Sequence, residues 1–155
     1  SKYVDVPWTP LWPFGYGLSY TTFAYDTPRV SKTEIAPTDS LTVSVDVTNS
    51  GTRAGEEVVQ LYVRDDVASV TRPVKMLKGF RRVMLRPAER RTLTFTLRPQ
   101  DLAFYDLRMQ YVVEPGTFTV WAAGSSVGGQ PTHFRVVGNT AEIPDHGPLP
   151  ARWRP

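Results

Sequence analysis

The chain has 155 residues, of which 41% are hydrophobic and 21% are charged, and its formal net charge is +3 at pH 7. This ordinary globular composition excludes wholesale disorder, and no apolar run reaches the roughly 18 residues of a membrane-spanning helix. The absence of cysteine excludes disulfides, zinc–thiolate sites, iron–sulfur clusters and cysteine nucleophiles.

Residues 1–21 are predicted to form an extended linker arm. Eight of the aromatic residues fall within the first 25 positions, and prolines stand at positions 7, 10 and 13. Proline favours extended backbone and removes a hydrogen-bond donor, so the arm cannot bury its own rings and must pack on another surface. The predicted interdomain docking residues are Trp12, Phe14, Tyr16 and Tyr20 in the arm, with Asp65 and Arg72 from a later loop.

Residues 22–137 alternate between apolar and polar side chains with the period of a β-strand. The clearest segments are 41–48, 58–64, 92–97 and 117–122, and further strands are predicted at 24–30, 76–85, 111–113 and 133–137. Only 99–106 is compatible with a short helical turn. These elements predict an all-β fold, an antiparallel immunoglobulin/fibronectin type III-like sandwich of about seven strands. Residues 138–155 are predicted to be an irregular, Pro-rich tail.

Two aromatic residues interrupt the alternation of their strands. Tyr62 and Trp121 fall on the polar positions, so their rings are expected to point away from the core. If both rings lie on one face of a sheet, that face is a candidate for docking or for sugar stacking. Cover by the N-terminal arm or by a loop is the alternative.

The sequence patterns that could carry catalysis are explained better as structural features. Residues 124–128 match G-x-S-x-G, but Gly129 and Pro131 follow and prevent the helix that a nucleophile elbow needs. Glu56 and Glu57 are neighbours on a strand and should diverge, while Asp65 and Asp66 begin a loop without an apolar setting that would raise a pKa. Two isolated histidines, His133 and His146, suit neither a metal site nor a triad. We therefore predict no catalytic, cofactor-binding or metal-binding residue in this chain.

Positive charge is concentrated between residues 72 and 91. Eight Lys and Arg against Glu89 give this window a net charge of +7, so the rest of the chain carries −4. The window contains a single aromatic residue, Phe80, and its charges should spread over several faces, which argues against nucleic-acid binding. An acidic neighbouring surface explains the asymmetry better, and no membrane partner is expected.

Four separated segments resemble one family in the same order. They are PLWPFGYGLSYTTF at 10–23, VTNSGTRAGEEVVQLYV at 47–63, SVTRPVKMLKGF at 69–80, and EPGTF at 114–118 with GSS at 124–126. Together they closely resemble the C-terminal fibronectin type III-like domain of glycoside hydrolase family 3, which contains β-glucosidases and β-xylosidases. Met76 departs from the pattern, because the family more often has an acidic residue there.

The resemblance implies that catalysis belongs to other domains. In that family the nucleophilic Asp lies in a (β/α)8-like domain and the acid/base Glu in an α/β-sandwich domain, and no residue of this chain aligns with either. The chain is therefore expected to be inactive alone and to stabilise and orient those two domains in a β-glycosidase, an exo-acting β-glucosidase, which would bind the β-linked oligosaccharide. The alternatives are a stand-alone carbohydrate-binding module and a cell-surface adhesion module. Localisation is not predicted, since a secreted or periplasmic protein would need an upstream signal.

Overall fold

A computed structural model describes residues 21–69, 74–124 and 128–144. These residues form twelve strands and one short helix, α1. The strands are β1 (Phe23–Tyr25), β2 (Arg29–Val30), β3 (Glu34–Ile35), β4 (Leu41–Asn49), β5 (Gly55–Asp65), β6 (Met76–Leu85), β7 (Arg90–Leu97), β8 (Phe104–Tyr105), β9 (Tyr111–Val113), β10 (Gly116–Ala123), β11 (Pro131–Val136) and β12 (Ala141–Glu142), and the helix is α1 (Pro99–Leu102).

The strands form two facing sheets and a smaller third sheet. In the first sheet β4 pairs with β1, β2 and β7; the second has the order β3-β11-β10-β5-β6; the third has the order β12-β9-β8. Every pair is antiparallel except β3 with β11. The predicted all-β sandwich is confirmed, with six strands of six or more residues and six short ones. The helical turn predicted within 99–106 is the four-residue α1.

The core lies between the two large sheets and consists of the residues that the alternation placed inward. Val43, Val45 and Val47 of β4 have no exposed surface, and they belong to the same buried cluster as Leu61 of β5. The rings of Phe118 and Phe134 stack with centroids 5.2 Å apart. Each such side chain contributes about 1.5–3 kcal/mol on burial, so this face of the strands fixes their register.

Asn49, the last residue of β4, organises one corner of the sandwich. It is fully buried, and its Nδ2 donates to the carbonyl oxygens of Arg53 (2.8 Å) and Leu85 (2.9 Å). Its Oδ1 accepts from the Gly51 amide (2.9 Å) and from the Thr21 hydroxyl (2.7 Å). These bonds close the turn at 49–51 and attach the start of the described chain to it.

Glycine is required in this corner because Thr21 lies directly on the backbone. A Cβ on Gly51 would lie 2.0 Å from Thr21 Oγ1, and a Cβ on Gly55 would lie 2.5 Å from Thr21 Cγ2. Both distances are shorter than any real carbon contact, so a side chain at either position would displace Thr21.

The chain beyond β11 stays in contact with the sandwich. Ala141 and Glu142 pair with β9, and Ile143, which is only 6% exposed, donates its amide hydrogen to the carbonyl oxygen of Tyr111. Residues 138–144 therefore contribute to the third sheet and the core. The division of the chain into 1–21, 22–137 and 138–155 stays a prediction.

Candidate functional site

Most of the predicted docking residues lie outside the described part of the chain. These are Trp12, Phe14, Tyr16, Tyr20 and Arg72. Asp65 is described: it is the last residue of β5 and is partly buried. The docking role of all six residues stays a prediction.

Tyr62 and Trp121 lie directly opposite each other on β5 and β10, so both are on the outer face of the second sheet. Lys75 Nζ lies 4.5 Å from the centroid of the Trp121 ring and 5.2 Å from that of Tyr62. The guanidinium carbon of Arg64 lies 5.1 Å from the Trp121 ring. Each cation–π contact is worth about 0.5–1 kcal/mol at such a site. A sugar ring stacked on Trp121 would have to compete with these cations, and sugar stacking stays a prediction.

A hydrogen-bonded chain of polar groups continues from this patch across the sheet. Arg64 Nε donates to Asp66 Oδ1 (2.7 Å), and the Thr119 hydroxyl donates to Asp66 Oδ2 (2.8 Å). Thr119 Oγ1 also lies 3.0 Å from Nδ1 of His133. Because each group orients its neighbour, the network fixes these side chains relative to one another, and its hydroxyl group, on Thr119, is buried.

Glu56 and Glu57 diverge, as predicted, and Asp65 and Asp66 also diverge, although as residues at the start of a loop they could have converged. Glu56 is exposed, whereas Glu57 is buried and accepts a hydrogen bond from the Tyr25 hydroxyl at 2.9 Å. Burial raises the pKa of Glu57, and burial together with the charge of Glu57 raises the pKa of Tyr25. Asp65 lines a cavity, while Asp66 bonds across the outer face. Neither pair encloses one bond from two sides, which glycosidase chemistry requires.

The expectation that Asp65 lacks an apolar setting is wrong. Burial raises its pKa from an ordinary 3.8 to about 6, and the negative charges of Glu114 and Asp66 add to the shift. The hydrogen bond from the Val67 amide to Asp65 Oδ1, at 3.2 Å, opposes it only in part. Asp65 is partly buried because it lies two residues after the buried Val63 in β5, and alternate residues of a strand point to the same face of the sheet.

Asp65 lines a cavity of about 270 Å³ at the end of β5, beside α1. Apolar side chains form most of its walls. Two further charged groups, Lys78 of β6 and Asp101 of α1, also line it. Burial lowers the pKa of Lys78, and the charge of Asp101 opposes that change. The apolar walls come from Val63, Val74, Met76, Leu102, Phe104 and Phe118.

The context of the G-x-S-x-G pattern differs from a nucleophile elbow. Residues 125–127 lie outside the described chain, but β10 before them and β11 after them are antiparallel neighbours. An elbow needs a strand-to-helix turn, whereas the next described element here is a strand. Within residues 21–69, 74–124 and 128–144, no group of three His, Cys, Asp or Glu could hold a metal ion. His146 lies outside these ranges.

The basic residues of β6 and β7 spread over several surfaces, as predicted. Arg90 pairs with Asp26 (2.9 Å) and Asp46 (2.8 Å), while Arg91 pairs with Glu89 (2.9 Å). Acidic partners for part of the cluster are thus supplied within the domain itself. The pKa of Asp46 is lowered chiefly by its hydrogen bonds with Arg29, Thr92 and Arg90.

Comparison with known proteins identifies the fold. Residues 57–126 match the family model of the fibronectin type III-like domain. The chain carries a fibronectin type III-like domain. A β-xylosidase of Formosa agariphila is 55% identical over 118 residues, which are 76% of this chain and 16% of that protein. A periplasmic β-glucosidase of Salmonella typhimurium is 46% identical over 78% of this chain and 16% of its own length.

A solved β-glucosidase from Erythrobacter marinus superposes on this fibronectin type III-like domain with a TM-score of 0.73 at 44% identity. The match covers 82% of this chain and 17% of that structure. The chain therefore spans about one sixth of the relatives it matches. The predicted resemblance to the fibronectin type III-like domain of family 3 glycoside hydrolases is confirmed.

Sequence reasoning missed the cavity of the fibronectin type III-like domain. One signal was present, because Glu57, Val59, Leu61, Val63 and Asp65 share one parity, and that parity is the inward one. The other half of the cavity, from α1 and β6, required the tertiary structure.

Proposed function

We propose that this chain is the C-terminal, non-catalytic domain of a family 3 β-glycosidase, an exo-acting β-glucosidase. It stabilises and orients a (β/α)8-like domain and an α/β-sandwich domain, and those domains bind and cleave the terminal β-glycosidic bond. The observation that carries the proposal is the match to 16% of the length of a β-xylosidase and of a β-glucosidase at 55% and 46% identity.

The site geometry supports a non-catalytic role. Among the described residues, Glu56 diverges from Glu57 and Asp65 from Asp66, so neither pair can act as acid and nucleophile on one bond. The one described helix has four residues, which is far too short to cross a membrane.

The test is an activity assay of the purified 155-residue chain on an aryl β-glucoside, with a complete family 3 β-glucosidase as the positive control. We expect no turnover above the buffer blank. Turnover that co-purifies with the chain and is lost in the Asp65→Asn or Glu57→Gln variant would show that this domain is catalytic and would refute the proposal.

The outer face of the second sheet favours a second candidate, carbohydrate binding by the domain itself. Tyr62 and Trp121 form a cross-strand aromatic pair with Arg64 and Lys75 beside them. Titration with cellobiose distinguishes the two functions. A saturable change in tryptophan fluorescence that disappears in Tyr62→Ala supports the binding module, and a flat titration supports the accessory domain alone.

A further inference from the structure

Asp65 lines the cavity beside α1, and one oxygen of its carboxylate has no hydrogen-bond partner. Asp65 Oδ2 is shielded from water and accepts no hydrogen bond from any described residue. Buried polar atoms are nearly always hydrogen-bonded, since leaving one unpaired is destabilising, and more so when the group is charged. The unpaired Asp65 Oδ2 could therefore accept a hydrogen bond from a donor on another molecule or domain.

The charges around Asp65 favour a positively charged donor. Asp66 and Glu114 both add negative potential at the Asp65 carboxyl. Neither can serve Asp65 as a donor, because both are carboxylates that accept hydrogen bonds: Glu114 accepts from the amide and hydroxyl of Ser69, and Asp66 accepts from Arg64. Lys78 lines the same cavity but makes no ion pair with Asp65 among the described residues.

The mouth of the cavity is apolar. Val74 and Met76 line it and are each 52% exposed, and Val67, beside Asp65 in sequence, is 59% exposed. Exposed apolar side chains around a pocket that contains charged groups are characteristic of protein contact sites, in which an apolar rim excludes water from a central charge pair. The surface therefore fits a polypeptide partner.

We propose that this cavity receives one arginine side chain from the polypeptide against which the domain packs in the longer enzyme. The arginine stem lies along the apolar walls formed by Val74, Met76 and Phe104, and the guanidinium donates to the carboxylate of Asp65. This source of the arginine rests on the proposed function, whereas the chemistry of the cavity does not.

Arginine fits the cavity better than the other candidate ligands. Its planar guanidinium matches a carboxylate with two parallel hydrogen bonds, and its three methylene groups can be buried beside aliphatic walls. Ligand sites span about 300–1,000 Å³, so a cavity of about 270 Å³ suits a single side chain rather than an oligosaccharide. An anion would meet Asp65 and Asp101, and a purely apolar group would leave Oδ2 without a donor.

The experiment titrates the 155-residue chain with N-acetyl-arginine amide and follows the methyl NMR signals of Ala68, Val74 and Met76. N-acetyl-citrulline amide is the matched neutral probe. We expect the arginine probe to bind with a millimolar Kd and to shift these signals selectively, and the citrulline probe to bind about tenfold more weakly or not at all. Affinity should fall as the pH is lowered from 8 to 5, since Asp65 then takes up a proton.

Two variants should change the affinity for the arginine probe in opposite directions. Loss of folding would lower the affinity in both, so it cannot produce this result. Asp65→Asn should weaken binding of the arginine probe about tenfold or more and remove its pH dependence, with Asp39→Asn as the control carboxylate. Lys78→Met removes a positive charge that would repel the guanidinium in the same cavity, while keeping an apolar stem, so it should strengthen binding several-fold, with Lys32→Met as the control.

Three outcomes would overturn the proposal. Equal binding of the arginine and citrulline probes would show that charge is irrelevant, and unchanged affinity in Asp65→Asn would place the probe elsewhere. Concentration-dependent self-association that Asp65→Asn abolishes would show that a second copy of the chain fills the cavity. None of these measurements depends on catalytic domains, so failure here is distinguishable from failure of the proposed function.

Discussion

Asn49→Ala is expected to destabilise the domain by about 2–4 kcal/mol. The substitution removes two donated and two accepted hydrogen bonds, at 2.8, 2.9, 2.9 and 2.7 Å. A typical intramolecular hydrogen bond contributes about 0.5–1.5 kcal/mol net, and a buried group that loses its partner adds a desolvation penalty. The carbonyl oxygen of Leu85 is the group most affected, because its bond to Asn49 is buried.

The assay is urea unfolding followed by circular dichroism, with Asn139→Ala as the control. Asn139 is exposed, so its substitution should change the free energy of unfolding by less than about 0.5 kcal/mol. For a chain of this size the expected loss in Asn49→Ala corresponds to a drop in Tm of roughly 5–15 °C. A loss below about 1 kcal/mol would refute the reasoning, because it would mean that water replaces all four bonds at little cost.

Three further predictions concern pH and packing. The folded-state pKa of Asp65, about 6, exceeds its ordinary value of 3.8, so the free energy of unfolding should fall as pH rises from 4 to 7. Urea titrations at several pH values should show a smaller fall in Asp65→Asn than in the wild type. An equal fall in the two proteins would contradict this prediction. Asp46 has a lowered pKa, so the stability that its ion pairs contribute is present above pH 3.8 and is lost as the pH falls below that. The free energy of unfolding of the wild type should therefore fall more steeply on acidification than that of Asp46→Asn. An equal pH dependence in the two proteins would contradict the stabilising role of the Asp46 hydrogen bonds. In the complete enzyme, Trp12→Ala with Tyr16→Ala should lower the thermal midpoint by several degrees, with Leu107→Ala as an exposed control, and an unchanged midpoint would rule out docking by the arm.

The alternation of side chains predicted the long strands because burial of one face dominates their energetics. Residues 41–48, 92–97 and 117–122 all fall within strands whose apolar positions face the core. The shortest strands could not be predicted from side-chain alternation, because β8 and β12 have only two residues each and therefore show no period. The register shift between Leu61 and Tyr62 in the pairing of β5 with β6 was not predicted, although Gly79 lies opposite Leu61 and an isolated glycine within a strand often marks such a bulge.

The candidate site was predictable only where residue type and parity agreed. Tyr62 and Trp121 were placed on the outer face from parity, and they lie opposite each other. The position of Lys75 above both rings depends on how β6 approaches β5, which the sequence does not encode locally. The prediction that Asp65 begins a loop was wrong, because β5 extends through Asp65 and the inward parity of the strand continues to it.

The corner at Asn49 also fixes the position at which the polypeptide enters the sandwich. Thr21 is held by the Asn49 side chain and lies against the bare backbone of Gly51 and Gly55, and Thr22 bonds to Ser50. The point at which the polypeptide reaches the sandwich is therefore held to the turn by the side chains of both threonines. A force that the upstream polypeptide exerts on the domain would be transmitted through this contact between Thr21 and the turn. A side chain at Gly51 or Gly55 would displace Thr21 and so change the direction in which the polypeptide enters the sandwich.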